Sequence, residues 1–199
     1  MKVHPTYASA KDYLAKLREL LDALPDQSDR FVETLFEAFE ADRTVFLVGN
    51  GGSAAAASHF GQDLAIGTLS SLQAKRRFRV IPLTDNVGLL TALANDEGYG
   101  CIFEQQLRNL ARGGDLLIAT SGSGNSPNVL RAVEYARSIG MKTIGVTGFD
   151  GGKLRELAHE SVHVPTHDMG MAEALHGVVF HLAIAQLRAK LAQVEDAST

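Results

Sequence analysis

The sequence predicts a three-layer α/β/α sandwich built on a five-stranded parallel sheet. Three observations predict it. Five short apolar runs recur along the chain, helical patterns lie between them, and the runs show no clean alternation of apolar and polar residues. Strand-sized runs that alternate with helices imply βαβ units and parallel pairing. Continuous apolar runs are expected where helices cover both faces of a sheet.

Residues 5–24 read as a helix. Pro5 fits a first helical turn, and Tyr13, Leu14, Leu17, Leu20, Leu21 and Leu24 recur at three- and four-residue spacing. Pro25 and Asp26 interrupt it, and a second helix carries Phe31, Val32, Leu35, Phe36 and Phe39 as its apolar stripe. Both helices precede the first strand and have no strand to pair with. They are expected to leave the sandwich and pack on another helix layer or on a second subunit. The strand runs are 44–49, 78–83, 115–120, 142–147 and 161–165. The helical patterns between and after them cover 53–66, 86–111, 127–139, 151–158 and 170–194. The tail 195–199 is polar and expected to fray.

With 199 residues the chain is read as a single domain, 1–199, with a helical pair at 1–42 used in oligomerisation and an α/β core at 43–194. Hydrophobic residues make up 45%, charged residues 21%, and the net charge is −4, values of an ordinary globular protein that exclude a disordered chain. Cys101 is the one cysteine, which excludes an intramolecular disulfide framework and a multi-cysteine zinc site. Slight acidity provides no field for nucleic acid, and with no Trp and 7% aromatics there is little to stack bases on. The N-terminus carries charges every few residues and lacks the apolar run of a signal peptide, and no apolar stretch reads as a membrane span. A cytoplasmic location is expected.

In open parallel sheets, ligands bind beyond the carboxyl ends of the strands. After the first strand comes Gly49-Asn50-Gly51-Gly52-Ser53, whose glycines allow positive φ and close backbone approach. Ser53 is placed to cap the helix that follows, and free N–H groups entering a helix N-terminus form an anion site. The alternative is a tight turn without a ligand. After the third strand comes Ser121-Gly122-Ser123-Gly124-Asn125-Ser126-Pro127. Hydroxyls, N–H groups and the helix dipole together make a phosphate cradle. No Lys follows the last glycine and no Walker A pattern occurs, so the loop suits a monophosphate better than a nucleoside triphosphate. Here the alternative is a polar loop capped by Ser126.

Titratable groups gather on two helices. His59 and Asp63 are four residues apart and share a helix face. Glu173 and His181, eight apart on the last helix, lie on nearby faces, with His176 on the other side. Ionisable groups in so apolar a helix are costly unless paired or metal-bound. The alternative is that His176 and His181 are satisfied core or interface histidines.

These loops, with Thr147-Gly148-Phe149-Asp150-Gly151-Gly152, resemble the sugar isomerase (SIS) domain family, and within it the phosphoheptose isomerases. The resemblance implies a flavodoxin-like strand order 2-1-3-4-5 and a homotetramer with sites between subunits. It implies that Ser53, Ser121, Ser123 and Ser126, with the loop glycines Gly51, Gly52 and Gly122, hold a sugar phosphate, and that Asn50 and Asp85 lie near the sugar. It matches His59, His176 and His181 to family histidines. Asp63 stands where the family has the catalytic Glu, and Glu173 where it has Gln. The Asp is one methylene shorter, roughly 1.5 Å of lost reach. The pocket meanwhile gains the Glu173 carboxylate. The resemblance implies zinc held by His59, Asp63, Glu173 and His181, a donor set that suits the metal.

The implied activity is aldose–ketose isomerisation of sedoheptulose 7-phosphate to D-glycero-D-manno-heptose 7-phosphate through an enediol(ate). Asp63 or Glu173 would act as base and His181 as acid, with Glu173 also near the substrate. Two alternatives stand beside it. One is a non-catalytic SIS-domain regulator or scaffold of the replication-initiation-factor type, against which the retained Asp63 and His181 argue. The other is an isomerase of another sugar phosphate.

Overall fold

The computed structural model describes residues 5–196. Its centre is a parallel sheet of β1 (Thr44–Val48), β2 (Arg79–Pro82), β3 (Leu116–Ser121), β4 (Lys142–Thr147) and β5 (Glu160–His163) in the order β2-β1-β3-β4-β5. Order and direction agree with expectation. The helices are α1 (Ala10–Leu21), α2 (Pro25–Glu40), α3 (Gly52–Gln62), α4 (Val87–Asp96), α5 (Glu104–Leu110), α6 (Pro127–Ser138), α7 (Gly152–Leu157) and α8 (Met169–Asp196).

Alternate residues of the buried strands feed two cores. On one face Val45, Leu47, Leu116, Ile118, Ile144 and Val146 pack under α2, α3 and α8. There Phe31, Phe60 and Phe180 form an aromatic cluster with centroids 4.4–6.0 Å apart. On the other face Phe46, Val48, Leu117 and Ala119 pack under α5 and α6. The edge strand β2 departs from the continuous burial expected: its residues alternate, and Ile81 is exposed.

Several boundaries differ from the sequence reading. The first helix starts at Ala10, because the Ser9 hydroxyl accepts from Asp12 N and caps it, so Pro5 lies outside. Pro25 opens α2 as its first residue, where a missing N–H costs nothing. The second helix does not leave the sandwich: Phe31, Val32, Leu35, Ala38 and Phe39 are buried in the chain's own core. By contrast, α1 buries only Leu20 and exposes Leu14. The single helix expected over 86–111 is broken. Gly98, at φ 93°, ends α4, and the 3₁₀ turn Tyr99–Cys101 separates it from α5. Past Gln62, α3 widens into the π turn Asp63–Gly67.

The last helix reaches further than 194, and the part of the tail at 197–199 lies outside the described residues. Its stretch Met169–Gln193 is long and apolar enough to cross a membrane by length and composition, contrary to the sequence reading. Those apolar residues serve the core: Met171, Leu175, Val179, Phe180, Ala183, Leu187 and Leu191 are buried.

Candidate active site

The β1 and β3 loops meet at the carboxyl end of the sheet, beside the start of α8. They enclose a cavity of about 280 Å³ lined by Asn50, Gly51, Gly52, Ser53, Thr120, Ser121, Gly122, Ser123, Ser126, Met169 and Glu173. Every sequence-predicted substrate residue except Asp85 lines it.

The two loops are built differently from expectation in one respect each. Gly51, at φ 54°, is the cap residue of α3, and Ser53 sits inside the helix, buried, rather than capping it. The first N–H groups of α3 therefore have no side-chain cap. Ser126 holds the cap position of α6, yet its hydroxyl makes no capping bond. Instead it lies 3.1 Å from the Ser121 hydroxyl. Ser126 therefore does not cap α6, and two adjacent hydroxyls line a cavity at that helix's N-terminus.

Backbone bonds clamp the serine loop to the β4 loop. Gly148 N donates to Gly122 O and Leu154 N to Gly124 O, both at 2.9 Å. Gly124 adopts φ 64°, and a β-carbon there would collide with the carbonyl of Gly151. Asn125 ties the same loops, accepting from Lys153 N at 3.1 Å.

Asn50 forms a reciprocal amide pair with the buried Asn128, at 2.9 and 2.8 Å, and accepts from the Tyr99 hydroxyl at 2.7 Å. Asn50 thus joins the β1 loop to α6 and to the turn after α4. Asn128, Tyr99, Met169 and Thr120 were missed by sequence reasoning. Asn128 reads as an ordinary residue in a first helical turn, and only the close approach of the β1 loop reveals its partner. Asp85 stands at the end of β2, outside the cavity lining, and accepts from the hydroxyls of Ser58 and Thr84.

About two turns further along α3 and α8 lies a second cluster. Asp63 Oδ2 is 3.5 Å from His59 Nε2 and 3.5 Å from His181 Nδ1. The two imidazoles meet edge to face with centroids 5.1 Å apart. One donor atom from each of His59, Asp63 and His181 lies within 4.8 Å of the others, close enough to share a metal ion. Both histidines are more than half exposed and Asp63 is 21% exposed.

Glu173 is not part of this cluster, which corrects the four-ligand expectation. Its carboxylate lies against Gly52 in the serine-loop cavity, where a β-carbon on Gly52 would collide with it. The reason is the axial rise of a helix: eight residues separate Glu173 from His181 by roughly 12 Å. Within one chain, the carboxylates of Glu173 and Asp63 therefore belong to different clusters. His176 is the core histidine of the alternative reading. It is 1% exposed, and its Nε2–H donates to Thr147 O at 3.1 Å. Burial pushes its pKa down to about 4, against the hydrogen bond to Thr147, which works the other way. Its Nδ1 is buried without a partner.

Comparison with known proteins extends this picture. The SIS domain family model matches residues 10–148. The phosphoheptose isomerase of Aliarcobacter butzleri is 37% identical over 183 residues, spanning 90% of this chain and 95% of that protein. That of Helicobacter pylori strain P12 is 36% identical over 175 residues, spanning 86% and 90%. Among solved structures, a phosphoheptose isomerase from Neisseria gonorrhoeae superposes with a TM-score of 0.81 at 29% identity, covering 89% of this chain and 95% of that one.

Proposed function

The chain belongs to the SIS-domain family, with phosphoheptose isomerases as its relatives, and from that membership we propose that it isomerises sedoheptulose 7-phosphate to D-glycero-D-manno-heptose 7-phosphate. The observation that carries the substrate is the spacing of two sites along α3. Ser53 lines the serine-loop cavity, and His59 lies six residues on, roughly 9 Å of helix rise. An extended seven-carbon chain with bonds of roughly 1.5 Å covers a comparable distance. A phosphate at one end and a carbonyl at the other suit the two sites together.

The phosphate is assigned to Ser121, Ser123 and Ser126, with the uncapped N–H groups of α3. Asn50 is held by Asn128 and Tyr99, so it presents a fixed edge to the ligand. Asp63 is the base. Its Oδ2 faces both imidazoles, and Oδ1 is left for the substrate. The carboxylate takes a proton from carbon 1, and that C–H electron pair becomes the C1–C2 double bond. The carbonyl pair at carbon 2 moves to its oxygen, which takes a proton from His181. Return of a proton to carbon 2, with loss of one from the hydroxyl at carbon 1, yields the aldose. Glu173, in the phosphate cavity, is assigned to substrate contact rather than to proton abstraction.

The clustered donors of His59, Asp63 and His181 fit a zinc ion, and these three residues would hold it. When bound, zinc supplies Lewis-acid polarisation of the substrate oxygens. The exposure of both histidines supports a further assignment: a second copy of the chain covers this cluster in a homotetramer, with α1 contributing its exposed Leu14. A phosphorylated sugar is too costly to desolvate to cross a bilayer unaided, which supports a cytoplasmic setting.

The test is incubation of the protein with sedoheptulose 7-phosphate in deuterated water. Deuterium should enter carbon 1 of the recovered ketose and carbon 2 of the aldose. Absence of exchange with zinc-supplemented protein would overturn the assignment.

A further inference from the structure

A cavity of about 320 Å³ lies away from the candidate active site, along the open edge of β5 beneath the start of α2. Its polar lining comprises Gln27, Arg30, Arg155, His159, Glu160 and Ser161. The side-chain amide and carboxylate oxygens are engaged: Gln27 Oε1 receives His163 N at 2.7 Å, and Glu160 receives Lys142 at 2.8 Å and the Thr34 hydroxyl at 2.9 Å.

Among the donors, Gln27 Nε2 is committed to Ala23 O at 3.0 Å, but the guanidinium groups of Arg30 and Arg155 make no ion pair or hydrogen bond among the described residues. Thr143 N donates to His159 Nδ1 at 3.1 Å, so that nitrogen carries the lone pair and the proton resides on Nε2, which has no partner among the described residues. His163 N points away from β4 toward Gln27, and the two-residue period of a strand turns Ser161 N–H, together with its C=O, to the same open edge. Ser161 Oγ is buried without a partner. Two unpaired guanidinium groups beside a carboxylate and an amide oxygen that are already engaged favour an anion.

We propose that this β5-edge cavity is a second anion site, which takes a small phosphate-bearing ligand between Arg30 and Arg155. The local field agrees. Burial first, and then the charge of Arg155, lowers the pKa of His163; burial, then Arg137 and Lys142, lowers that of His159. The volume, about 320 Å³, exceeds the about 280 Å³ of the serine-loop cavity, so a ligand of sugar-phosphate size fits.

Calorimetric titration of the full chain with inorganic phosphate tests this. Two equivalents per chain are expected. Arg30→Gln/Arg155→Gln should weaken one of them by roughly tenfold or more, since charge-assisted hydrogen bonds are lost. Ser123→Ala/Ser126→Ala should remove only the other. Both arginines are exposed, and circular dichroism should be unchanged in their variant. One equivalent in wild type, lost with the serines and untouched by the arginine changes, would overturn the second site and leave the serine cradle standing. Loss only with the arginines would uphold the second site and overturn the cradle. Repeating the titration of the serine variant with sedoheptulose 7-phosphate separates the sources: binding identifies a monoester ligand, and rejection identifies the free ion.

Discussion

Acidification should destabilise this protein through His176. The side chain is 1% exposed, its Nε2–H is committed to Thr147 O, and its pKa is pushed down to about 4 from 6.5. Below pH 6.5 the unfolded chain takes up a proton that the folded chain refuses until about pH 4. Stability from this group is therefore fully present above pH 6.5, is lost as pH falls through the window, and changes no further below about 4. At 1.36 kcal/mol per unit the whole window is worth about 3 kcal/mol, a large part of a typical stability of ~5–15 kcal/mol. Urea unfolding of wild type and of His176→Gln at pH 7.5, 6 and 5 isolates the effect. Glutamine can still donate to Thr147 O but does not titrate. The advantage of wild type over the variant should shrink by about 2 kcal/mol between pH 7.5 and 5. A constant difference across that range would refute the reasoning. The lesion has a functional reach, because the same hydrogen bond fastens α8, which carries Glu173, to the end of β4.

Ser126→Ala leaves the Ser121 hydroxyl without its neighbour and removes a charge-assisted bond, typically ~1.5–3 kcal/mol, so sugar-phosphate affinity should fall roughly 10- to 150-fold in a binding titration. His181→Ala should lower zinc content, measured by elemental analysis of protein purified without chelator, far below that of wild type; equal content in both would remove His181 from the donor set. Asp63→Asn should abolish deuterium exchange into the ketose while leaving phosphate binding intact, because the carboxylate lies with His59 and His181 and not in the serine cavity. Asp63→Glu and Glu173→Gln should act additively on kcat/KM within about 0.5 kcal/mol, as expected for groups more than ~7–10 Å apart, and strong coupling would return them to one site.

The sequence by itself determined the parallel sheet, the two loops at its carboxyl edge and the pairing of His59 with Asp63. Each is encoded locally: apolar runs of strand length, glycines and serines directly after them, and a four-residue spacing that places two side chains on one helix face. Other properties depend on which faces meet. The burial of α2 follows from the width of the sheet face that Phe31 and Leu35 cover, and no spacing within the helix reports that. Gly98 breaks the pattern of 86–111 because the chain must turn there at positive φ, while the apolar periodicity runs straight through it. Glu173 reads as a companion of His181 on the helical wheel, which records angle and ignores axial rise. The tertiary structure places it in the serine-loop cavity through its approach to Gly52. The donor-rich cavity at β5 draws Arg30 from α2, Arg155 from α7 and Ser161 from the strand, so only the folded chain brings them to one place.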